Sequence, residues 1–191
     1  MSKKLPRPER RAQLLDVASA IVREEGTDAL TLGSLAERAG VSKPIAYSHF
    51  ETRSGLMIAL SKAAMDRQVA ALAAALENAP QEPEQVARIL SSAYLECALT
   101  IGPEWHAIDA ALRGDATMEA HQRRTRQDHA AFYAATIQPL SKLDSKVVQR
   151  RCVGLIGTMD ALSAEVMEGG MPLDVAVDDL VGLIRKWLIE G

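Results

Sequence analysis

The sequence predicts an all-α protein of about nine helices, and three observations point there. Alanine and leucine dominate, with glutamate also frequent. No run of alternating β-branched residues lasts four positions. Apolar residues recur at helical spacing between glycine and proline breaks. The hydrophobic fraction of 48% suffices for a core, which aromatics at 4% make mostly aliphatic. At 191 residues the chain is long enough for one domain or for a small domain joined to a larger one. No stretch approaches the roughly 18 consecutive apolar residues of a membrane span, and no apolar segment follows the basic N-terminus as a secretory signal requires. Cys97 and Cys152 stand far apart without metal-ligand spacing. They are expected as buried thiols of a reducing, cytoplasmic setting.

The first helix is expected over Arg10 to Glu25, with Leu14, Leu15, Ala18, Ile21 and Val22 on one face and Gly26 as a left-handed stop. Thr31 then caps a short helix, TLGSLAERA, that ends at Gly40. A third follows in GVSKPIAYSH, where Pro44 poses a question, because a helix interior excludes proline. With Ser42 as N-cap, Lys43 and Pro44 fall in the first turn, whose N–H groups have no intrahelical partner. Ile45, Ala46, Tyr47, Ser48 and His49 are then displayed just behind. Two short helices joined through Ala39, Gly40 and Val41 form a helix-turn-helix pattern, whose second helix enters the DNA major groove.

A long helix runs from Ser54 to about Asn78, and APQEPEQ is the clearest linker. Further helices are expected over Glu84–Ile101, Pro103–Arg113, roughly Ala116–Gln138, Ser145–Glu168 and Leu173–Ile189. In the last two, Val148, Cys152, Leu155, Met159, Leu162 and Val166, and then Leu173, Val177, Leu180, Ile184 and Trp187, recur at steps of four and three. Such seams suit near-parallel helix packing. Val147, Val153 and Ile156 add apolar surface on other faces. The pair is therefore expected either to be buried within its own domain or to meet a second copy across a two-fold axis. The second reading places Val148, Cys152, Leu155, Met159, Leu162, Leu180, Ile184 and Trp187 in a dimer interface.

Charge is unevenly placed. Residues 1–11 carry Lys3, Lys4, Arg7, Arg10 and Arg11 against Glu9 alone, whereas the whole chain is at −3. A basic arm on an acidic body hints at an anionic partner, or is a solubilising tail.

The stretch TLGSLAERAGVSKPIAYSHFETRSGLM, Thr31 to Met57, resembles the tetracycline-repressor (TetR) family of bacterial transcriptional regulators. The Ala-Gly-Val-Ser turn, the Tyr-x-His-Phe ending and the charged opening of a long helix carry the likeness over about 50 residues. Gly33 and Ser48 are smaller than the side chains that family members often place there. The resemblance implies a homodimer whose helix-turn-helix domain, residues 1–53, binds a palindromic double-stranded operator. Residues 54–191 are expected to form a helical domain for dimerisation and for binding a small-molecule effector. Ligand binding then moves the long fourth helix and releases DNA, which makes repression the usual outcome.

Lys43 suits a guanine O6 or N7, or alternatively a phosphate. Pro44 and Ile45 offer apolar surface to a thymine methyl group, with packing inside the domain the other role for Ile45. By the resemblance, Tyr47 and His49 are phosphate binders; Ser48 shares the displayed face. Thr31 and Arg53 are expected to hold the DNA backbone, while Lys3, Lys4 and Arg7 either reach an adjacent groove or form a loose tail. For the effector, Tyr94, Trp105, His106, Asp109, Met118, Gln122, His129, Tyr133 and Met159 supply the mostly apolar lining with a few polar groups that a small organic ligand needs. The same residues also suit plain core.

No metal site is expected, because His121 and His129 lack a nearby cysteine or carboxylate set, and no cofactor is implied. No Ser/His/Asp order, phosphate-binding glycine loop or His-Glu-x-x-His stretch is present, which argues against an enzyme. The competing reading is a constitutive dimeric DNA-binding or adaptor protein without an effector pocket.

Overall fold

A computed structural model describes residues 5–101 and 116–191. All regular structure among them is helical: α1 (Arg7–Glu25), α2 (Leu32–Arg38), α3 (Lys43–Phe50), α4 (Arg53–Glu77), α5 (Pro83–Ile101), α6 (Ala116–Ile137), α7 (Ser145–Met167) and α8 (Leu173–Leu183). A 3-10 turn, Gln138–Leu140, follows α6, and α8 runs on into a π-helical stretch, Ile184–Ile189. The expected helix Pro103–Arg113 lies outside the described residues. No described helix is long and apolar enough to cross a membrane.

The described residues fall into two units, 5–65 with 116–122 and 66–101 with 123–191. In the first, α1 begins at Arg7, ahead of the expected Arg10, because Pro8 occupies a first-turn position that needs no N–H donor. Arg10, Leu14, Ala18, Ile21 and Val22 form its buried stripe. Gly26 ends it at φ +85° and ψ 171°, a conformation open to glycine. Thr31 and Ser34 close a reciprocal capping box at the start of α2. Leu30, Leu32, Leu35 and Ala36 then pack with Ala46 and Phe50 of α3. Leu56, Met57, Ala59 and Leu60 complete the same core. The opening turns of α4, just past residue 53, are thus apolar on the side that covers this core.

The second unit buries Val86, Leu90 and Leu95 of α5, Ala130, Tyr133 and Ile137 of α6, and an apolar stripe from each of α7 and α8. Here the expected dimer seam is corrected. Val148, Cys152, Leu155, Met159, Leu180 and Ile184 are all fully buried inside the unit, where α5 and α6 cover them. A four-and-three seam marks the side of a helix that is packed, not the molecule it is packed against. Leu162 and Trp187 are half-buried against the same core. The surface that α7 leaves open runs through Val153, Gly154, Gly157 and Ala161. Trp187 lies over part of it, so close that a Cβ at Gly154 would come within 2.9 Å of the indole.

Candidate functional site

The outward face of α3 is made by exclusion. Ala46 and Phe50 are buried, four residues apart, which turns Lys43, Pro44, Ile45, Tyr47 and Ser48 to solvent. Tyr47 is 51% exposed and Ile45 37%, unusual for side chains of their size, so Ile45 does not pack inside the domain. Ser48 donates its hydroxyl to the Ile45 carbonyl at 2.8 Å. Lys43 lies beside α2: a Cβ at Gly33 would stand 3.9 Å from its Cε and 3.6 Å from Thr31 Oγ1. The small residue at 33 thus leaves room for the lysine stem.

Ser42 occupies the N-cap as expected, yet its side chain makes no capping bond. The reason lies in the next residues. A capping hydroxyl bonds the N–H of N2 or N3. Pro44 at N2 has none, and the Ile45 amide bonds the Ser42 carbonyl at 2.9 Å instead. The Ser42 hydroxyl therefore stands exposed beside Lys43, a donor on the displayed face that the capping assignment obscured.

Thr31 and Arg53 are tied more firmly than the sequence implied. The Thr31 hydroxyl accepts the Ser34 amide and donates to Ser34 Oγ, each at 3.0 Å. Arg53 donates from Nε to the Leu30 carbonyl at 2.9 Å and from Nη2 to the Thr27 carbonyl at 2.7 Å. Two of its donors thus serve the α1–α2 turn. His49 is half-buried. Burial, and then the nearby charges of Arg7, Arg11 and Arg10, hold its pKa below the ordinary 6.5.

The described effector candidates fall in both units. Met118 is buried in the core of the first unit, and Gln122 belongs to that unit as well. Tyr94, His129, Tyr133 and Met159 do come together in the second unit. The His129 ring stacks on Tyr94 with centroids 5.6 Å apart and meets the edge of Tyr133 at 5.0 Å. Burial pulls the His129 pKa down to about 4. Among the described residues its Nε2 has no hydrogen-bond partner. Tyr94 donates its hydroxyl to Asp160 Oδ1. Asp160 was missed in the sequence, where an acid beside Met159 in an otherwise apolar stretch was the available signal. Trp105, His106 and Asp109 lie outside the described residues.

Comparison with known proteins fits this arrangement. Residues 14–60, covering most of α1 through the start of α4, match the family model "Bacterial regulatory proteins, tetR family". That segment is similar to the DNA-binding part of TetR-family regulators. The chain is 40% identical over 75 residues to the HTH-type transcriptional activator FasR of Mycolicibacterium smegmatis. That match covers 39% of this chain and 34% of FasR, so it spans about a third of the relative's length. A TetR-family transcriptional regulator from Rhodococcus sp. superposes with a TM-score of 0.76 at 20% identity, over 94% of this chain and 99% of that one. The transcriptional regulator FadR of Bacillus subtilis, solved with stearoyl-CoA, superposes with a TM-score of 0.74 at 14% identity, over 92% and 97%. At such identity the two structures establish a shared TetR-type fold and no more.

Proposed function

We propose that this protein is a transcriptional regulator that binds a palindromic operator as a homodimer and leaves it when a small organic effector binds. The observation that carries the reading is the displayed face of α3. Lys43, Pro44, Ile45, Tyr47 and Ser48 are all exposed on a helix held from behind by Ala46 and Phe50, inside the segment that matches the family. Lys43 and the apolar pair Pro44–Ile45 read base edges. Tyr47 and His49 bind phosphate and fix register, with Ser42 beside them. In the bound state the two reading helices stand roughly 34–36 Å apart, one turn of DNA.

The dimer forms through the open face of α7, where Val153, Gly157 and Ala161 offer an apolar surface without bulky groups. The effector contacts the aromatic cluster of Tyr94, His129 and Tyr133. The stearoyl-CoA held by FadR makes a long-chain acyl thioester the first compound to try. Binding that favours the DNA-released state lowers operator affinity by linkage, with a coupling of about 1–3 kcal/mol.

The test begins with selection of duplexes from a random-sequence library on full-length protein, followed by titration of stearoyl-CoA into the complex. An enriched palindrome supports the regulator. Enrichment of nothing refutes it. An operator complex indifferent to stearoyl-CoA and to a broad panel of organic ligands favours the constitutive reading.

A further inference from the structure

The last turn of any helix leaves carbonyls without intrahelical partners. In α3 all four are accounted for, and two of the partners come from α1. The Tyr47 carbonyl accepts the Glu51 amide at 2.9 Å, and the Phe50 carbonyl accepts the Thr52 amide at 2.6 Å. Between them, the Ser48 carbonyl takes Arg7 Nη2 at 3.1 Å and the His49 carbonyl takes Arg11 Nη1 at 2.8 Å. The Arg11 guanidinium also lies over the Phe50 ring, 4.8 Å from its centroid. Phe50 is itself buried, so Arg11 is fixed by a ring that cannot move away. A cation at a helix C-terminus also meets the negative end of the helix dipole.

From sequence, Arg7 and Arg11 are members of a basic arm that hints at an anionic partner or serves as a solubilising tail. The geometry points to a different role, which rests on the operator-binding reading above: we propose that Arg11, with Arg7 beside it, is a positioning residue of the reading helix. It holds the C-terminal end of α3 on α1 through main-chain carbonyls and the Phe50 ring, and so sets the angle at which Lys43 to Ser48 meet the groove. Its charge is directed at peptide oxygens beneath α3 and not at a phosphate. A helix of eight residues has little stability of its own, so its orientation is set by such outside contacts.

Salt dependence separates the two roles. Each phosphate contact contributes about one unit to the slope of log affinity against log salt. A positioning residue contributes to affinity without contributing to the slope. The experiment measures binding of full-length protein to a library-selected duplex and to a random-sequence duplex, at several salt concentrations. Arg11→Met keeps an apolar stem over Phe50 and removes the guanidinium. It is expected to lose about tenfold on the selected duplex, the scale of one charged hydrogen bond, and less on the random one, with both slopes unchanged. Arg11→Lys, which still offers a donor to the His49 carbonyl, is expected to recover part of the loss. Equal weakening on both duplexes with a slope reduced by about one refutes the proposal, and so does an Arg11→Met protein that binds like wild type.

A second readout needs no DNA. Arg11 lies among the charges that face His49, so Arg11→Met moves the NMR titration of His49 back toward the ordinary value. An unmoved titration overturns the placement. If no duplex is enriched, the operator reading fails by itself while the His49 titration still decides the clamp. Where Arg11→Met lowers the melting temperature, Arg11→Lys carries the same comparison in a folded chain.

Discussion

Gly55, the third residue of α4, tests how tightly the turn from α3 to α4 is built. A Cβ added there would stand 2.3 Å from the Phe50 carbonyl oxygen and 3.3 Å from Thr52 Oγ1. The first distance is roughly an ångström shorter than carbon and oxygen tolerate. The oxygen is main chain and cannot swing aside. It accepts the Thr52 amide in a three-residue γ-turn, and Glu51 at its centre has φ +61°, a strained value for a residue with a side chain. Gly55→Ala must therefore push the start of α4 from the end of α3. Alanine brings a gain of about 1 kcal/mol in helix propensity, against an overpacking cost of about 3 kcal/mol, the upper part of the usual range because backbone must move. The net loss is about 2 kcal/mol, or about 4–8 °C in melting temperature for a chain of this size. Urea and thermal unfolding of the full-length variant measure it. Gly33→Ala is the control, since its Cβ meets only ordinary contacts at 3.6 and 3.9 Å, and it should gain up to about 1 kcal/mol. A Gly55→Ala protein as stable as wild type would refute the reasoning.

His129 gives a pH signature. Its pKa is pulled down to about 4 in the folded chain from 6.5, so the unfolded chain takes up a proton there first. Stability is accordingly lost as pH falls from about 6.5 toward about 4, by up to about 3 kcal/mol, and levels off below. His129→Phe should flatten that part of the profile, as urea unfolding at a series of pH values will read. On DNA, Tyr47→Ala should weaken binding to all operator variants alike, whereas Lys43→Ala should relax preference at one base pair; a variant-by-variant titration distinguishes them. Arg53→Met removes two donors from the Thr27 and Leu30 carbonyls, and thermal unfolding should register about 1–3 kcal/mol of lost stability. Gly157→Arg puts a long charge on the open face of α7, where nothing lies within 4 Å of the added Cβ. It should leave folding intact and turn the proposed dimer into monomers in analytical ultracentrifugation; a dimer that forms in the variant as in the wild type moves the interface elsewhere.

Much of the N-terminal unit was legible because its signals are local. Pro44 after Ser42, the Gly26 and Gly40 stops and the Thr31 cap each mark a boundary through the chemistry of a few neighbouring residues. Ala46, expected among the displayed residues, is instead fully buried with Phe50 four positions on, and the two together turn Tyr47 and Lys43 outward. The misassigned seam of α7 and α8 shows where such reasoning ends. Periodicity announces that Val148, Cys152, Leu155 and Met159 share a packed side, and it carries no mark of whether the covering helix comes from the same chain. Met118 is a like case: an apolar residue on a long helix is core material for whichever unit that turn happens to reach.

The amino-acid sequence by itself determined the all-helical class, the helix-turn-helix and most of the residues that α3 displays, because each depends on contacts within a few positions along the chain. Only the tertiary structure decided what the arginines do. Arg11 reaches the carbonyl of His49, 38 residues away, and Arg53 reaches Thr27, 26 residues away. A guanidinium looks the same in sequence whether it faces a phosphate or a peptide oxygen, and the choice is made by which helix end folding brings beside it.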